Sequence, residues 1–185
     1  MSSCLAIAKI DGNKVEKLIS GNTSVLGGLN QRQIDEYSSF DLGSITKVLS
    51  TTSILMKFVE TGKLGINDKV SKFLPTWKLG KKSEITLRHL LSHNSGLPAW
   101  RPLYISCSTV EKVHNYISQI DLEQAPGKKF IYSDLGFITL GRILEIVVSH
   151  DLENIFDEME ALIEERGNNP VTEFGFVGPY PKTQD

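Results

Sequence analysis

Gly43-Ser44-Ile45-Thr46-Lys47 opens the longest periodic stretch of the chain, and its reading decides the fold. From Ser44 to Thr61, the residues Val48, Leu49, Thr52, Leu55, Met56 and Val59 recur at steps of three and four, which predicts a helix that buries this face. Gly62 follows as the stop, a residue suited to the left-handed conformation that ends helices. At the start of this helix Ser44 and Lys47 stand three residues apart, so a hydroxyl and an amine project from one face, one turn apart. That spacing can bring Lys Nζ within hydrogen-bonding reach of Ser Oγ. A serine hydroxyl is a weak nucleophile at neutral pH and needs a neighbouring base, while a helix N-terminus favours negative charge developing on it. The plainer reading is a capping serine and a solvated lysine, because Ser-x-x-Lys is short enough to recur by chance.

Working toward the N-terminus, Leu5 to Ile10 and Val15 to Ile19 are β-prone runs joined by Asp11-Gly12-Asn13, which predicts an antiparallel hairpin. Gly21 to Glu36 is rich in Gly, Asn, Ser and Gln without a period and reads as a surface connection, with a short strand expected at Ser38 to Asp41. Toward the C-terminus, Asn67-Asp68 and Leu74-Pro75 mark turns, and a short helix from Thr86 to Ser92 is closed by Asn94-Ser95-Gly96-Leu97-Pro98. Thr109 to Ile120 reads as helical and Pro126-Gly127 as a turn. Leu135 to Val148 carries Phe137, Ile138, Leu140, Ile143, Leu144 and Val147 on a helical period, with Asp134 or Ser133 as its cap. An acidic amphipathic helix is expected at Leu152 to Glu165, followed by an irregular tail from Gly167 to Asp185. No internal repeat is present.

The composition restricts the function classes. A chain of 185 residues with 40% hydrophobic side chains can build one domain with a buried core. With 20 basic against 22 acidic residues and no basic stripe interleaved with aromatics, nucleic acid is not an expected partner. Cys4 and Cys107 lack metal-ligand spacing and read as two thiols in a reducing compartment. The N-terminus carries no charged leader followed by a long apolar run, so neither a signal peptide nor a membrane span is expected, and the location read from this is cytoplasmic. His89 and His93 stand at i and i+4, but without a Glu in an H-E-x-x-H arrangement or a third ligand they read as part of a capped turn. Neither a metal nor another cofactor is expected.

Several further segments then fall in a particular order. Phe40-Asp41-Leu42-Gly43-Ser44-Ile45-Thr46-Lys47 is followed by Val59-Glu60-Thr61-Gly62-Lys63-Leu64 and Asp68-Lys69-Val70. Ile85-Thr86-Leu87-Arg88-His89-Leu90-Leu91-Ser92-His93-Asn94-Ser95-Gly96-Leu97-Pro98 comes next, then Pro126-Gly127 and Tyr132-Ser133-Asp134. The combination, from Ser38 to Phe156, resembles the β-lactamase-related serine hydrolases: class C β-lactamases, penicillin-binding D-Ala-D-Ala carboxypeptidases, D-aminopeptidases and esterases. By that resemblance Ser44 is the acylated nucleophile, Lys47 its partner, and Tyr132 the tyrosine of the family's Tyr-x-Asn motif. Asp134 stands where that motif has its amide. A carboxylate cannot donate a hydrogen bond as an amide does, but it can pair with Lys47 and hold it protonated; an N-cap role is the alternative.

The resemblance implies an α+β, β-lactamase/transpeptidase-like fold of which residues 1–185 are the N-terminal part. Residues 1–43 would form the hairpin and connection, 44–166 a mostly helical lobe and 167–185 the tail, with the late sheet strands missing. The family's third motif, Lys-Thr-Gly or His-x-Gly, is also missing; Lys182-Thr183-Gln184 follows Gly178-Pro179-Tyr180-Pro181, whose prolines argue against a central strand. The implied function is hydrolysis of a small-molecule ester, amide, D-amino-acid or β-lactam carbonyl through an acyl-enzyme, with little activity from this chain alone. A complementary C-terminal chain or a homo-oligomer is the expected partner, because hairpin strands without sheet neighbours leave backbone groups unpaired. The alternative is a non-catalytic β-lactamase-like binding or regulatory module.

Overall fold

The computed structural model describes residues 4–22, 32–38 and 40–148. The chain divides into two compact units, Met1–Gly43 and Ser44–Asp185. The expected helix at 152–165 and the tail at 167–185 lie outside the described residues.

In the first unit, strands β1 (Cys4–Asp11) and β2 (Lys14–Gly21) pair antiparallel, Cys4 opposite Gly21 and Asp11 opposite Lys14. Gly12 adopts φ 57° in the connecting turn, a left-handed conformation that glycine takes without a Cβ penalty. An isolated bridge joins Asn22 to Gln33. The strand expected at Ser38 to Asp41 is not formed; residues 38, 40 and 41 are irregular. Asp35 instead organises a local turn, accepting from the Tyr37 N–H (3.1 Å) and from Ser38 Oγ (2.8 Å). A short polar side chain that bonds its own backbone competes with strand pairing.

The second unit is helical and holds the core. After a π-helical stretch at Lys47–Thr52 come α1 (Ser53–Glu60), α2 (Leu87–Leu91), α3 (Leu103–Ser106), α4 (Val110–Gln119) and α5 (Asp134–Val148). Single 3₁₀ turns at Val70–Lys72, Pro75–Trp77 and Gly80–Glu84 connect α1 to α2. α5 is the hub: Leu135, Leu140, Ile143 and Leu144 are fully buried, against Leu90 of α2 and Ile117 of α4 among others.

The helix that follows Ser44 corrects the sequence reading. Leu55 is buried and Val59 partly so, but Val48 and Met56 are exposed, and the inward face is Ile54, Leu55 and Phe58. The cause is the π-helical stretch: each i→i+5 turn holds one residue more than an α-turn, so positions after it rotate by about 100° against a continuous α-helix. Thr52 and Ser53 hydroxyls donate to the carbonyls of Lys47 and Val48, five residues back, at 2.8 and 2.9 Å.

Two charged or titratable side chains are built into this helical unit. Lys82, only 9% exposed, donates from Nζ to the carbonyls of Ile117 (2.8 Å) and Ser118 (2.6 Å) and lies 5.2 Å from the centre of the Trp77 ring. It thereby satisfies carbonyls at the C-terminal end of α4, where a cation is favoured. Burial pushes its pKa down to about 8, the carboxylate of Asp121 opposing. His114 of α4, with Glu111, Arg142 and Trp77, lines a concavity of about 170 Å³. Burial, reinforced by the Arg142 cation, brings its pKa down from the usual 6.5 to about 4.

Replacing Lys82 by Met keeps the aliphatic stem but removes two charge-assisted hydrogen bonds, and should cost about 1.5–3 kcal/mol of stability; an unchanged urea midpoint would contradict this. Between pH 6.5 and about 4 the unfolded chain takes up a proton on His114 that the folded chain refuses. Stability should therefore fall as pH drops through that window. Melting curves at a series of pH values should show a steeper decline for the natural chain than for His114→Gln.

Candidate active site

Ser44 and Lys47 sit on the first turn of the helical unit. The Lys47 amide N–H donates to the Ser44 carbonyl (3.1 Å), which closes that turn. Lys47 Nζ then reaches back to Ser44 Oγ at 3.2 Å. The same ammonium meets Asp134 Oδ1 at 2.7 Å, within the range of a charge-assisted hydrogen bond. It lies 5.3 Å from the centre of the Tyr132 ring and 5.9 Å from that of Phe137. The Lys47 side chain is 18% exposed and that of Asp134 40%. Ser44, Lys47, Tyr132 and Asp134 thus form one group, although about 90 positions of sequence separate its two halves.

The electrostatics of Lys47 follow from this geometry. Burial disfavours its charged form, but the Asp134 carboxylate, as hydrogen-bond acceptor and as counter-charge, and the Tyr132 phenol outweigh it. The pKa is raised above the ordinary 10.5, so the side chain is an ammonium at neutral pH.

The second half of the group is held by backbone. Residues 93–99 run alongside residues 131–134: the Ile131 N–H donates to the His93 carbonyl (2.7 Å) and the Asp134 N–H to the Ala99 carbonyl (2.9 Å). Ser133, 1% exposed, donates from Oγ to the Pro98 carbonyl (2.6 Å) and accepts from the Gly136 N–H (3.3 Å). Ser133 therefore supplies the capping oxygen at the start of α5, which leaves the Asp134 carboxylate to Lys47. Gly96 makes the loop possible: at φ 82° it is left-handed, and a Cβ there would collide with the Gln124 carbonyl oxygen. Further backbone bonds, Glu123 N–H to Gly96 O and Gly127 N–H to Asn94 O, both 2.8 Å, tie the loop to residues 123–127.

The two histidines divide their roles. His89 belongs to the cap of α2: its Nδ1 accepts from the Thr86 N–H (3.2 Å), while Thr86 Oγ1 accepts from the His89 N–H (3.3 Å). His93 lies in the candidate site, which sequence reasoning missed. Its ring packs on Tyr132 with centroids 4.3 Å apart and on Phe137 at 5.1 Å, and its Nδ1 accepts from the Ser133 N–H at 3.0 Å. The turn residues Asn94-Ser95-Gly96 mark a loop after His93, but which segment that loop meets is a tertiary fact.

Comparison with known proteins gives the chain a family. N-acetylmuramyl-L-alanine amidase of Bacillus subtilis (strain 168) is 33% identical over 134 residues, 65% of this chain and 30% of the relative. A putative D-alanyl-D-alanine carboxypeptidase of Salmonella agona (strain SL483) is 33% identical over 128 residues, 62% of this chain and 29% of the relative. The chain thus spans about 30% of the length of these curated relatives. Among solved structures, a class C beta lactamase superimposes with a TM-score of 0.72 at 20% identity, over 88% of this chain and 43% of its own. The hydrolase EstCE1, described as having promiscuous acyltransferase activity, superimposes with a TM-score of 0.67 at 29% identity, over 80% of this chain and 42% of its own. These neighbours share the β-lactamase/transpeptidase fold, of which the described residues form a part: one two-stranded sheet and a helical unit. The family model named Beta-lactamase matches residues 5–160, and the chain belongs to that family.

Proposed function

We propose that this chain carries the nucleophile half of a serine hydrolase that acts through an acyl-enzyme on an ester, amide or β-lactam carbonyl of a small molecule. The observation that carries this reading is the placement of Lys47 Nζ at 3.2 Å from Ser44 Oγ and 2.7 Å from Asp134, beside Tyr132. In it, Ser44 Oγ attacks the carbonyl carbon, its proton leaves through Tyr132 and Lys47 to the leaving group, and water then releases the acyl group. An ammonium next to both oxygens stabilises negative charge that develops on either during the transfer. Because Asp134 keeps Lys47 charged, the ammonium has no lone pair for the Ser44 proton; the Tyr132 oxygen takes it as the phenol gives up its own proton, which passes to the leaving group directly or by exchange with an ammonium proton of Lys47. The names of the relatives, an amidase and a carboxypeptidase, favour an amide, and D-amino-acid peptides are the first substrates to try.

The same reading makes the chain incomplete by itself. β1 and β2 expose Leu5, Ile7, Ile10, Val15 and Leu18, each at least 49%. A hairpin alone is marginally stable, and three or more strands or a packed helix are needed to hold it. A complementary chain, or further copies of this one, would supply that cover. A complementary chain with the late strands would also supply the second oxyanion donor beside the Ser44 N–H, a donor worth about 100- to 1,000-fold in rate. Two cysteines without metal-ligand spacing favour a reducing, cytoplasmic setting.

Incubation with a fluorophosphonate probe followed by native and intact mass measurement tests the reading. Ser44 should take up the probe, Ser44→Ala should not, and the native species should contain a second chain or copy. A chain unlabelled even in its assembled form would favour the alternative of a binding or regulatory module, which has no use for an activated hydroxyl. In Asp134→Asn, Lys47 loses its counter-charge while its burial remains. Its pKa, followed by NMR of the Lys47 Cε, should fall from above 10.5 in the natural chain to below that value. An unchanged titration would remove Asp134 from the site.

A further inference from the structure

Tyr132 is held from both sides by a single residue. The His93 carbonyl accepts from the Ile131 N–H at 2.7 Å, and the His93 Nδ1 accepts from the Ser133 N–H at 3.0 Å, so the peptide groups before and after Tyr132 are both tied to residue 93. The imidazole also covers the phenol ring itself, with centroids 4.3 Å apart and planes inclined by 34°. Phe137 lies at 5.1 Å and Phe130 meets the imidazole edge-on at 5.8 Å, so three aromatic rings surround it. His93 adopts φ 54°, the one positive φ among the described residues other than glycine. A side chain in that region is strained and is retained where the surroundings fix it.

An Nδ1 that accepts a hydrogen bond carries no proton, so in the neutral ring the proton sits on Nε2. We infer that His93, as the neutral Nε2–H tautomer, is the positioning residue for Tyr132, clamping residues 131 and 133 so that the phenol stays beside Lys47 and Ser44. The inference deepens the hydrolase reading and rests on it for the role of Tyr132. Protonating Nδ1 would break the bond from the Ser133 N–H and place a second cation near the Lys47 ammonium. The groups that face the ring are Lys47, Tyr132 and Asp134. Burial first, then Lys47, lowers the His93 pKa below 6.5, with Asp134 opposing, so the clamp remains neutral at physiological pH.

Three forms of the 185-residue chain, in its assembled state, separate this role from simple packing. His93→Asn tolerates a positive φ and offers Oδ1 where Nδ1 stood; His93→Gly tolerates the same backbone but offers no acceptor. The natural chain, labelled with ¹⁵N-histidine, should show an unprotonated Nδ1 that titrates below pH 6.5. The rate of fluorophosphonate labelling at Ser44 should stay within about 3-fold in His93→Asn and fall by about 10-fold or more in His93→Gly, with both variants folded by circular dichroism. The labelling rate of the natural chain should decline as His93 protonates, and that acid limb should vanish in His93→Asn. A protonated Nδ1 in the natural chain at neutral pH, or equal labelling of the Gly variant, overturns the inference. If the natural chain takes no label, the hydrolase reading fails instead, and the tautomer and titration of His93 still decide whether the clamp exists.

Discussion

The ion pair of Lys47 with Asp134 joins two elements that nothing in the local sequence relates: the first turn after Ser44 and the first turn of α5. Each end is positioned independently of the other. Lys47 is placed by the helical register from Ser44, and Asp134 by its own N–H bond to the Ala99 carbonyl and by the Ser133 cap beneath it. Because the backbone at each end is already fixed, the entropy cost of this salt bridge is confined to its two side chains. The site is therefore a meeting of two backbone ends, and its precision derives from the packing of α5 against the π-helical stretch that carries Lys47, and against α2 and α4.

Much of this was legible in the sequence, for identifiable reasons. The hairpin could be read because Asp11-Gly12-Asn13 is a local turn signal, and α5 because its apolar residues keep a single period from Leu135 to Val147. Ser44 and Lys47 could be paired because a spacing of three on a helix is a local geometric fact. The inward face of the helix after Ser44 was not legible. Its phase depends on a π-helical stretch, which has no propensity signature, so Val48 and Met56 were assigned to a core that Ile54 and Phe58 occupy. The 3₁₀ turns before α2 were read only as turns, and the burial of Lys82 against the end of α4 was not visible at all, since a lysine's partner 35 residues away leaves no local trace.

The aromatic surroundings of the site belong to the same class of hidden information. His93 comes from a loop, Phe130 and Tyr132 from the residues that lead into α5 and Phe137 from α5 itself, and each alone has an ordinary structural reading. What assembles them is backbone: the His93 and Ala99 carbonyls accept from the Ile131 and Asp134 N–H groups, although neither segment is a strand. Side-chain chemistry is thus presented by irregular segments whose own polar groups are satisfied, which is the condition for holding a loop as firmly as a helix.

The hairpin has a further consequence, which is one of symmetry. Among the described residues β1 and β2 form one two-stranded sheet, which the bridge from Asn22 to Gln33 extends past the end of β2. Two copies that join along one edge form a four-stranded sheet that still has two edges. Repeating the join lengthens the sheet without closing it. A neighbour of different sequence, with edges that curl away or carry charge, ends the series. For any sheet of two strands, the outcome of association thus depends on whether a complementary segment arrives before a second hairpin does.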